Sequence, residues 1–319
     1  MTTRECVKTE SYDVIIMGAG AAGLAAGIYA ARSGLKTLII DEKMAGGTTA
    51  DAPLVENYPG FPQVTGAELA EKMTFHCKKT GAVIHELESV TSLNLKAEKK
   101  IIKTSRAEYE ATAVIIASGA HYRQIGVTGE KEFFGRGVSY CGVCDGPFFK
   151  GKRVLVVGGG NSALITTLYL SGIAAEVVVA HRKETFRAED ALVKDAQSKP
   201  NVKVLWNTEV KEIKGEKIVK TAVLSNLRTG ETSEVSFDGV FVQIGESPNS
   251  TLALEAGVEP EDGGCGIKID LHQRTNISGV FAAGDVTAHP VRQIGTAVGQ
   301  GITAALEAYS YIKRPYYRK

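Results

Sequence analysis

Charge of one sign, cysteine, histidine clusters and aromatic residues are all scarce in this chain. Lys and Arg number 37 against 36 Asp and Glu, a formal net charge of +1. A protein that works by neutralising nucleic-acid phosphates needs a basic excess, so nucleic acid is not an expected partner. Five cysteines in 319 residues are too few for a disulfide-stapled secreted scaffold. The six histidines form no ligand-spaced cluster, and no metal site is expected. Aromatic residues are only 7%, and Trp206, His76 and His121 read as packing or surface positions rather than ligands. The N-terminus carries Glu5, Glu10 and Asp13 beside its basic residues, so it lacks the positive region of a secretory signal. The expected compartment is the reducing cytoplasm, with no membrane association.

Glycine, at 35 residues, is abundant. Two runs, Val14–Ala31 and Val154–Ala175, carry no charge and by length could pass for membrane spans. A glycine cluster near the front of each breaks it into a short strand, a turn and a helix. The first reads Asp13 to Met17, then Gly18, Ala19, Gly20, Ala21, Ala22 and Gly23, then a helix and the strand Lys36–Ile40. The second reads Arg153 to Val157, then Gly158, Gly159, Gly160, Asn161, Ser162 and Ala163, then a helix and the strand Glu176–Ala180. A lone GxGxxG is weak evidence. Each copy here follows an apolar strand and opens a helix, the context that marks a dinucleotide-binding turn. Glycine lets the backbone approach a pyrophosphate, and the helix N-terminus offers it unpaired N–H groups.

The residues just past the second strand of each unit set the two units apart. In the first unit these are Asp41 and Glu42, carboxylates suited to ribose hydroxyls and repulsive to a 2′-phosphate. In the second they are His181, Arg182 and Lys183, with Arg187 one turn on, cations suited to a 2′-phosphate. The first site therefore reads as FAD and the second as NADPH. The alternative reading of the basic group, a solvated helix start, conflicts with the preference of first turns for acids.

The rest of the chain supplies one dithiol and the domain plan. Thr65 and Glu68 are spaced as a capping box, predicting a helix that buries Leu69, Met73 and Cys77. Val90–Glu110 mixes polar and apolar residues as short antiparallel strands do. Ala113–Ala117 is an apolar strand ending in the turn Ser118-Gly119, and Gly279–Ala283 is another ending in Gly284-Asp285. Short apolar runs recur at Val202–Leu205, Lys220–Leu224 and Gly239–Ile244, and a last helix begins near Arg292. The fold class is α/β: two Rossmann-like dinucleotide-binding domains, the second inserted into the first, each with added antiparallel strands. The first would span 1–120 and 249–319, the second 121–248, joined at Gly119-Ala120 and Gly245–Pro248. Cys141-Gly142-Val143-Cys144-Asp145 lies just ahead of the second unit. A structural zinc site needs a second ligand pair, which is missing. A c-type haem needs His where Asp145 stands. A redox dithiol remains. Gly146–Lys152 mimics a phosphate loop, but Arg153 replaces its Ser or Thr and the segment precedes a strand, so that reading is rejected. Cys6, Cys77 and Cys265 read as bystanders.

Taken together these blocks resemble the low-molecular-weight thioredoxin reductases over nearly the whole chain. The matching blocks are Gly18–Gly23, Gly46-Gly47, Glu56–Gly60, Cys141–Gly146, Gly158–Ala163, His181–Ala188, Gly284–Val286 and Arg292-Gln293. The resemblance implies FAD, NADPH, a homodimer, and reduction of thioredoxin or a thioredoxin-like protein disulfide. It implies that Gly46, Gly47, Asn57, Ser118 and Gly119 belong to the flavin site. Asp285 after Gly284 would hold the ribityl chain, and Arg292, Gln293 and Ile294 would start a helix at the flavin's pyrimidine edge. Cys144 would be the sulfur nearest the flavin, Cys141 the sulfur that attacks the partner, and Asp145 the acid/base residue. Because the dithiol and the NADPH turn both lie in the inserted domain and both must reach one flavin, that domain is expected to rotate about Gly119-Ala120 and Gly245–Pro248. The chain departs from the pattern at Gly142-Val143, where Ala-Thr is commoner, and at Ile165-Thr166, where relatives carry paired acids that help place the nicotinamide. NADH, a reduced deazaflavin or ferredoxin thus stand as alternative donors, although relatives using them tend to lose the basic group kept here. A non-catalytic dinucleotide-binding module is the alternative from another class; the dithiol argues against it.

Overall fold

The computed structural model describes residues 10–52 and 54–313. Cys6 lies outside the described residues. The chain divides into two compact units, one from Met1–His121 with Ser247–Lys319, the other Tyr122–Glu246.

The first unit opens with β1 (Glu10–Met17), α1 (Ala21–Arg32) and β2 (Thr37–Ile40). It continues with α2 (Gly66–Lys79), β3 (Val83–His85), β4 (Val90–Asn94), β5 (Lys100–Thr104) and β6 (Glu108–Ile116). The crossing strand β7 (Ala120–Tyr122) leads out of it. The second unit contains β8 (Val138–Ser139), α3 (Gly142–Asp145), β9 (Arg153–Gly158), α4 (Asn161–Ser171), β10 (Glu176–His181), α5 (Asp190–Ser198) and β11 (Val202–Trp206). It is completed by β12 (Thr208–Gly215), β13 (Val219–Asn226), β14 (Thr232–Ser236) and β15 (Gly239–Gln243). The chain returns through β16 (Glu246–Pro248) to α6 (Thr251–Glu255), β17 (Val280–Ala282) and α7 (Ile294–Lys313).

In the first unit β3, β2, β1 and β6 run parallel in that order. One edge of β6 is shared: its first half takes antiparallel β5, and its second half takes parallel β17. β1 is buried on both faces, with Val14, Ile15 and Ile16 fully enclosed, as a central parallel strand requires. α1 is built of small residues because its neighbours come close. A Cβ on Gly27 would lie 2.8 Å from the Cys77 sulfur, and one on Gly301 would lie 2.1 Å from the Ala22 carbonyl oxygen. α2 carries the expected cap: the Glu68 amide donates to Thr65 Oγ1 at 3.2 Å, and Leu69 and Cys77 are buried.

In the second unit β11, β10, β9, β15 and β8 form an all-parallel sheet, and β12, β13 and β14 an antiparallel meander. The architecture is thus the α/β one read from the sequence. Two details differ. β11 and β15, the runs at Val202 and Gly239, are members of the parallel sheet. β12 and β14 escaped the sequence reading because neither contains an unbroken apolar run. The last helix starts two residues after Arg292. No helix among the described residues is long and apolar enough to cross a membrane.

Candidate active site

The first cradle forms where β1 ends. Gly18 has φ of 107°, and a Cβ there would lie 2.3 Å from the Ala117 carbonyl oxygen. Gly23 faces the loop so closely that its Cβ would sit 1.8 Å from the Gly18 oxygen. Gly20, by contrast, has no neighbour nearer than 3.9 Å to the Cβ it lacks, so it borders open space at the start of α1. α1 has no side-chain cap and no acid in its first turn, unlike α2. Its first N–H groups are therefore available to an anion. Gly47 and Gly284 close on the same place. A Cβ on Gly47 would come 3.0 Å from Gly20 Cα, and one on Gly284 would come 2.9 Å from Ala22 Cβ.

Asp41 makes two backbone contacts that the sequence did not announce. Its Oδ2 accepts the Ala19 N–H at 2.6 Å and its Oδ1 accepts the Lys43 N–H at 2.8 Å. Burial pushes its pKa up, opposed by those two amide hydrogen bonds. The carboxylate thus ties the end of β2 to the glycine turn. It keeps acceptor capacity to spare, since a carboxylate offers about four lone-pair sites. Glu42 is exposed, as is Gly47; Gly46 is buried, and its N–H donates to the Ala19 oxygen at 2.8 Å.

The remaining first-unit residues fall into two groups. Asn57 Nδ2 donates to Gln293 Oε1 at 3.1 Å, so two segments far apart in sequence meet. Ile294 packs beside them on Val55, Val64 and Leu69. Ser118 and Gly119 are held by Asn249: its Nδ2 donates to the Ser118 oxygen at 2.8 Å, and its N–H to the Gly119 oxygen at 2.9 Å. Gln300 was also missed. It is buried on α7, and its Oε1 accepts the Gly284 N–H at 2.6 Å, fixing the turn that presents Asp285. No sequence motif marks Asn249 or Gln300, because each acts on a turn distant along the chain.

The second cradle repeats the plan with different supports. Gly158 has φ of 150°, Gly160 has nothing within 4 Å of its absent Cβ, and α4 again lacks a side-chain cap and a first-turn acid. Ala163 stands where the first cradle has Gly23. His181 is buried, and its ring lies 2.2 Å from where a Gly159 Cβ would be, so it supports the turn from beneath. Burial, together with Arg187, Lys183 and Arg182, pushes its pKa down; the imidazole is neutral and its Nε2 pairs with the Thr185 oxygen at 3.0 Å. The Arg187 N–H donates to the Gly159 oxygen at 2.7 Å. Asn161 and Glu189 clamp each other, Nδ2 to Oε1 at 2.8 Å and Glu189 N–H to Oδ1 at 2.9 Å. His181 and Asn161 therefore shape the loop, the first buried and the second exposed, and Ser162, Arg182, Lys183 and Arg187 are exposed as well.

The dithiol lies in this same unit, on α3. Cys141 and Cys144 are joined by a disulfide, with Cys141 half-buried and Cys144 exposed. The Cys144 N–H donates to Cys141 Sγ at 3.2 Å, and the Cys141 N–H donates to Ser139 Oγ at 3.0 Å. Burial raises the Asp145 pKa, opposed by a hydrogen bond with Ser139. Ser139 thus links the backbone of one cysteine to the carboxyl beside the other, a role no local motif reveals. Tyr140 is pinned on both sides: its oxygen accepts Gln243 Nε2 at 2.7 Å, and its hydroxyl donates to buried Glu130 at 3.0 Å. The buried Cys77 thiol is pushed up to about 12, consistent with inertness, and Cys265 is an exposed free thiol. Among the described residues no group of three or more His, Cys, Asp or Glu could hold a metal.

Comparison with known proteins places this geometry. Residues 12–301 match the family described as pyridine nucleotide-disulphide oxidoreductase. The chain is 45% identical over 303 residues to thioredoxin reductase of Bacillus subtilis strain 168, covering 95% of each protein. It superposes on the solved thioredoxin reductase of Streptococcus pyogenes MGAS5005 with a TM-score of 0.91 at 40% identity, covering 96% of this chain and 99% of that one. A ferredoxin-flavin thioredoxin reductase from Clostridium acetobutylicum is 34% identical, with a TM-score of 0.51 over 97% of this chain and 100% of that one. The chain belongs to the pyridine nucleotide-disulphide oxidoreductase family, among its low-molecular-weight thioredoxin reductases.

Proposed function

We propose that this chain is an NADPH-dependent thioredoxin-disulfide reductase, with FAD on the first unit and NADPH on the second. The observation that carries the reading is the Cys141–Cys144 disulfide beside a carboxyl whose pKa burial raises, in the unit that also bears an uncapped, base-flanked dinucleotide cradle. When bound, the nicotinamide and flavin supply two-electron transfer. The chain's own residues do the rest. The first turns of α1 and α4 hold the two pyrophosphates, and Asp41 and Asp285 orient the flavin's sugar and ribityl portions. Arg182, Lys183 and Arg187 select a 2′-phosphate, which favours NADPH over NADH and over donors without a nucleotide.

At the dithiol, two electrons break the sulfur–sulfur bond. Asp145 delivers one proton, leaving one thiol and one thiolate. The Cys141 thiolate attacks a disulfide of thioredoxin or a similar protein, forming a mixed disulfide and releasing one partner thiolate. Asp145 then takes the proton from Cys144, whose thiolate attacks Cys141 Sγ; the mixed disulfide breaks, the internal disulfide re-forms, and the two partner thiolates take up one proton from Asp145 and one from solvent.

The test is the visible spectrum of the purified protein, before and after anaerobic NADPH or NADH, and then thioredoxin reduction. The expected result is a flavin absorbance bleached far faster by NADPH, with client reduction abolished in Cys141→Ser and Cys144→Ser. A colourless protein that cannot be reconstituted with flavin, or undiminished reduction by either variant, overturns the reading.

A further inference from the structure

Gly142, between the two cysteines, does not need to be glycine for backbone reasons: it is the first residue of α3 and is absent from the positive-φ positions. What excludes a side chain there is Thr166, in the middle of α4. A Cβ on Gly142 would lie 2.6 Å from Thr166 Cγ2, 3.0 Å from its Oγ1 and 3.2 Å from its Cβ. Thr166 is itself buried at 7% exposure, so its branched side chain has little room to yield. Its neighbour Thr167 bonds back to the Ala163 carbonyl. One turn along α4, Tyr169 and Leu170 meet Gly146 in the same manner, at 2.8 and 3.1 Å from its absent Cβ. The turn bearing both sulfurs is therefore seated on α4 through two side-chain-free positions, Gly142 and Gly146.

We propose that Thr166 is a positioning residue of the dithiol: its β-branch sets the seat of Gly142 and thereby the balance between the disulfide and dithiol forms. The inference rests on the reading of Cys141–Cys144 as the working redox pair. The seat described is that of the disulfide form. Crowding it penalises that form more than the opened pair, whose turn is no longer closed by the sulfur bridge. A larger residue at 142 therefore makes the pair more oxidising.

The test equilibrates the full-length holoprotein in dithiothreitol redox buffers and reads the dithiol fraction by alkylation and mass. Gly142→Ala is expected to shift the equilibrium at least tenfold toward the dithiol, about 30 mV for two electrons. Thr166→Ala in that background, which removes the two nearest atoms, is expected to return it to within threefold of the original. Thr166→Val keeps the branched shape without the hydroxyl and is expected to stay within twofold. Intrinsic Trp206 fluorescence without added nucleotide, compared with that of the parent, monitors the neighbouring fold, so that unfolded variants are recognised. An unshifted Gly142→Ala, a double variant that fails to recover while folded, or a Thr166→Val that shifts like Gly142→Ala overturns the proposal. Because the equilibrium is read without electron flow from a nucleotide, it is independent of whether NADPH proves to be the donor.

Discussion

The two glycine turns have nearly the same local grammar and opposite chemical settings. In the first, a carboxylate reaches from β2 into the turn and bonds the Ala19 N–H. In the second, a neutral imidazole lies beneath Gly159, and the chain after β10 is stapled to the turn through Arg187 and Asn161. The first support leaves negative charge at the cradle's rim. The second consumes a histidine and an asparagine internally and turns its cations outward. The strand–turn–helix is thus common to both units, and what differs is the group that braces it from the next strand and the charge left exposed beside it.

The largest test of this contrast is the third glycine position. Gly23→Ala would drive a Cβ to 1.8 Å from a backbone oxygen, and the purified variant is expected to lose its flavin absorbance. The converse change in the second turn, Ala163→Gly, meets no such limit and is expected to cost about 1 kcal/mol, read as a small fall in Tm. Next in size is the charge difference. Arg182→Ala with Arg187→Ala removes two charged donors of roughly 1.5–3 kcal/mol each. The KM for NADPH is expected to rise a hundredfold or more while that for NADH changes little. A smaller effect is expected from Asn161→Ala, which unties Glu189 from α4. It should cost about 1 kcal/mol of stability and raise the KM for NADPH severalfold.

The smallest expected effect is the pH dependence of His181. Its folded pKa lies below the ordinary 6.5, so the unfolded chain takes up a proton first on acidification. The stabilisation is complete above 6.5 and is lost as pH falls through the folded value. His181→Phe keeps an aromatic support that does not titrate. Its Tm is expected to fall less steeply below pH 6.5 than that of the parent, by calorimetry across that range.

The legible parts of this protein are those encoded by neighbours in the chain. Both glycine turns, the Thr65–Glu68 cap, the paired cysteines and the basic run after β10 all operate within a few residues. The polar strands β12 and β14 were missed because they lack an apolar run and take their register from β13. Ser139, Asn249 and Gln300 were missed because each satisfies a backbone group or carboxyl that arrives only by folding. Asn161 and His181 were identified for their position in motifs, yet their side chains bond to the loop itself, Asn161 to Glu189 and His181 to the Thr185 oxygen.

The amino-acid sequence alone determined the doubly repeated strand–turn–helix plan, the opposite charges beside the two turns and the placement of a redox pair ahead of the second. These features arise from local sterics, since glycine at a turn and an apolar strand before it act over distances the chain itself sets. Tertiary structure alone decided which polar groups remain available to a ligand and which are spent bracing a loop. It also decided that Gly142, the first of the two residues between the cysteines, has no room for a side chain. Such facts depend on what lies within about 3 Å in space, and that distance is blind to separation along the chain.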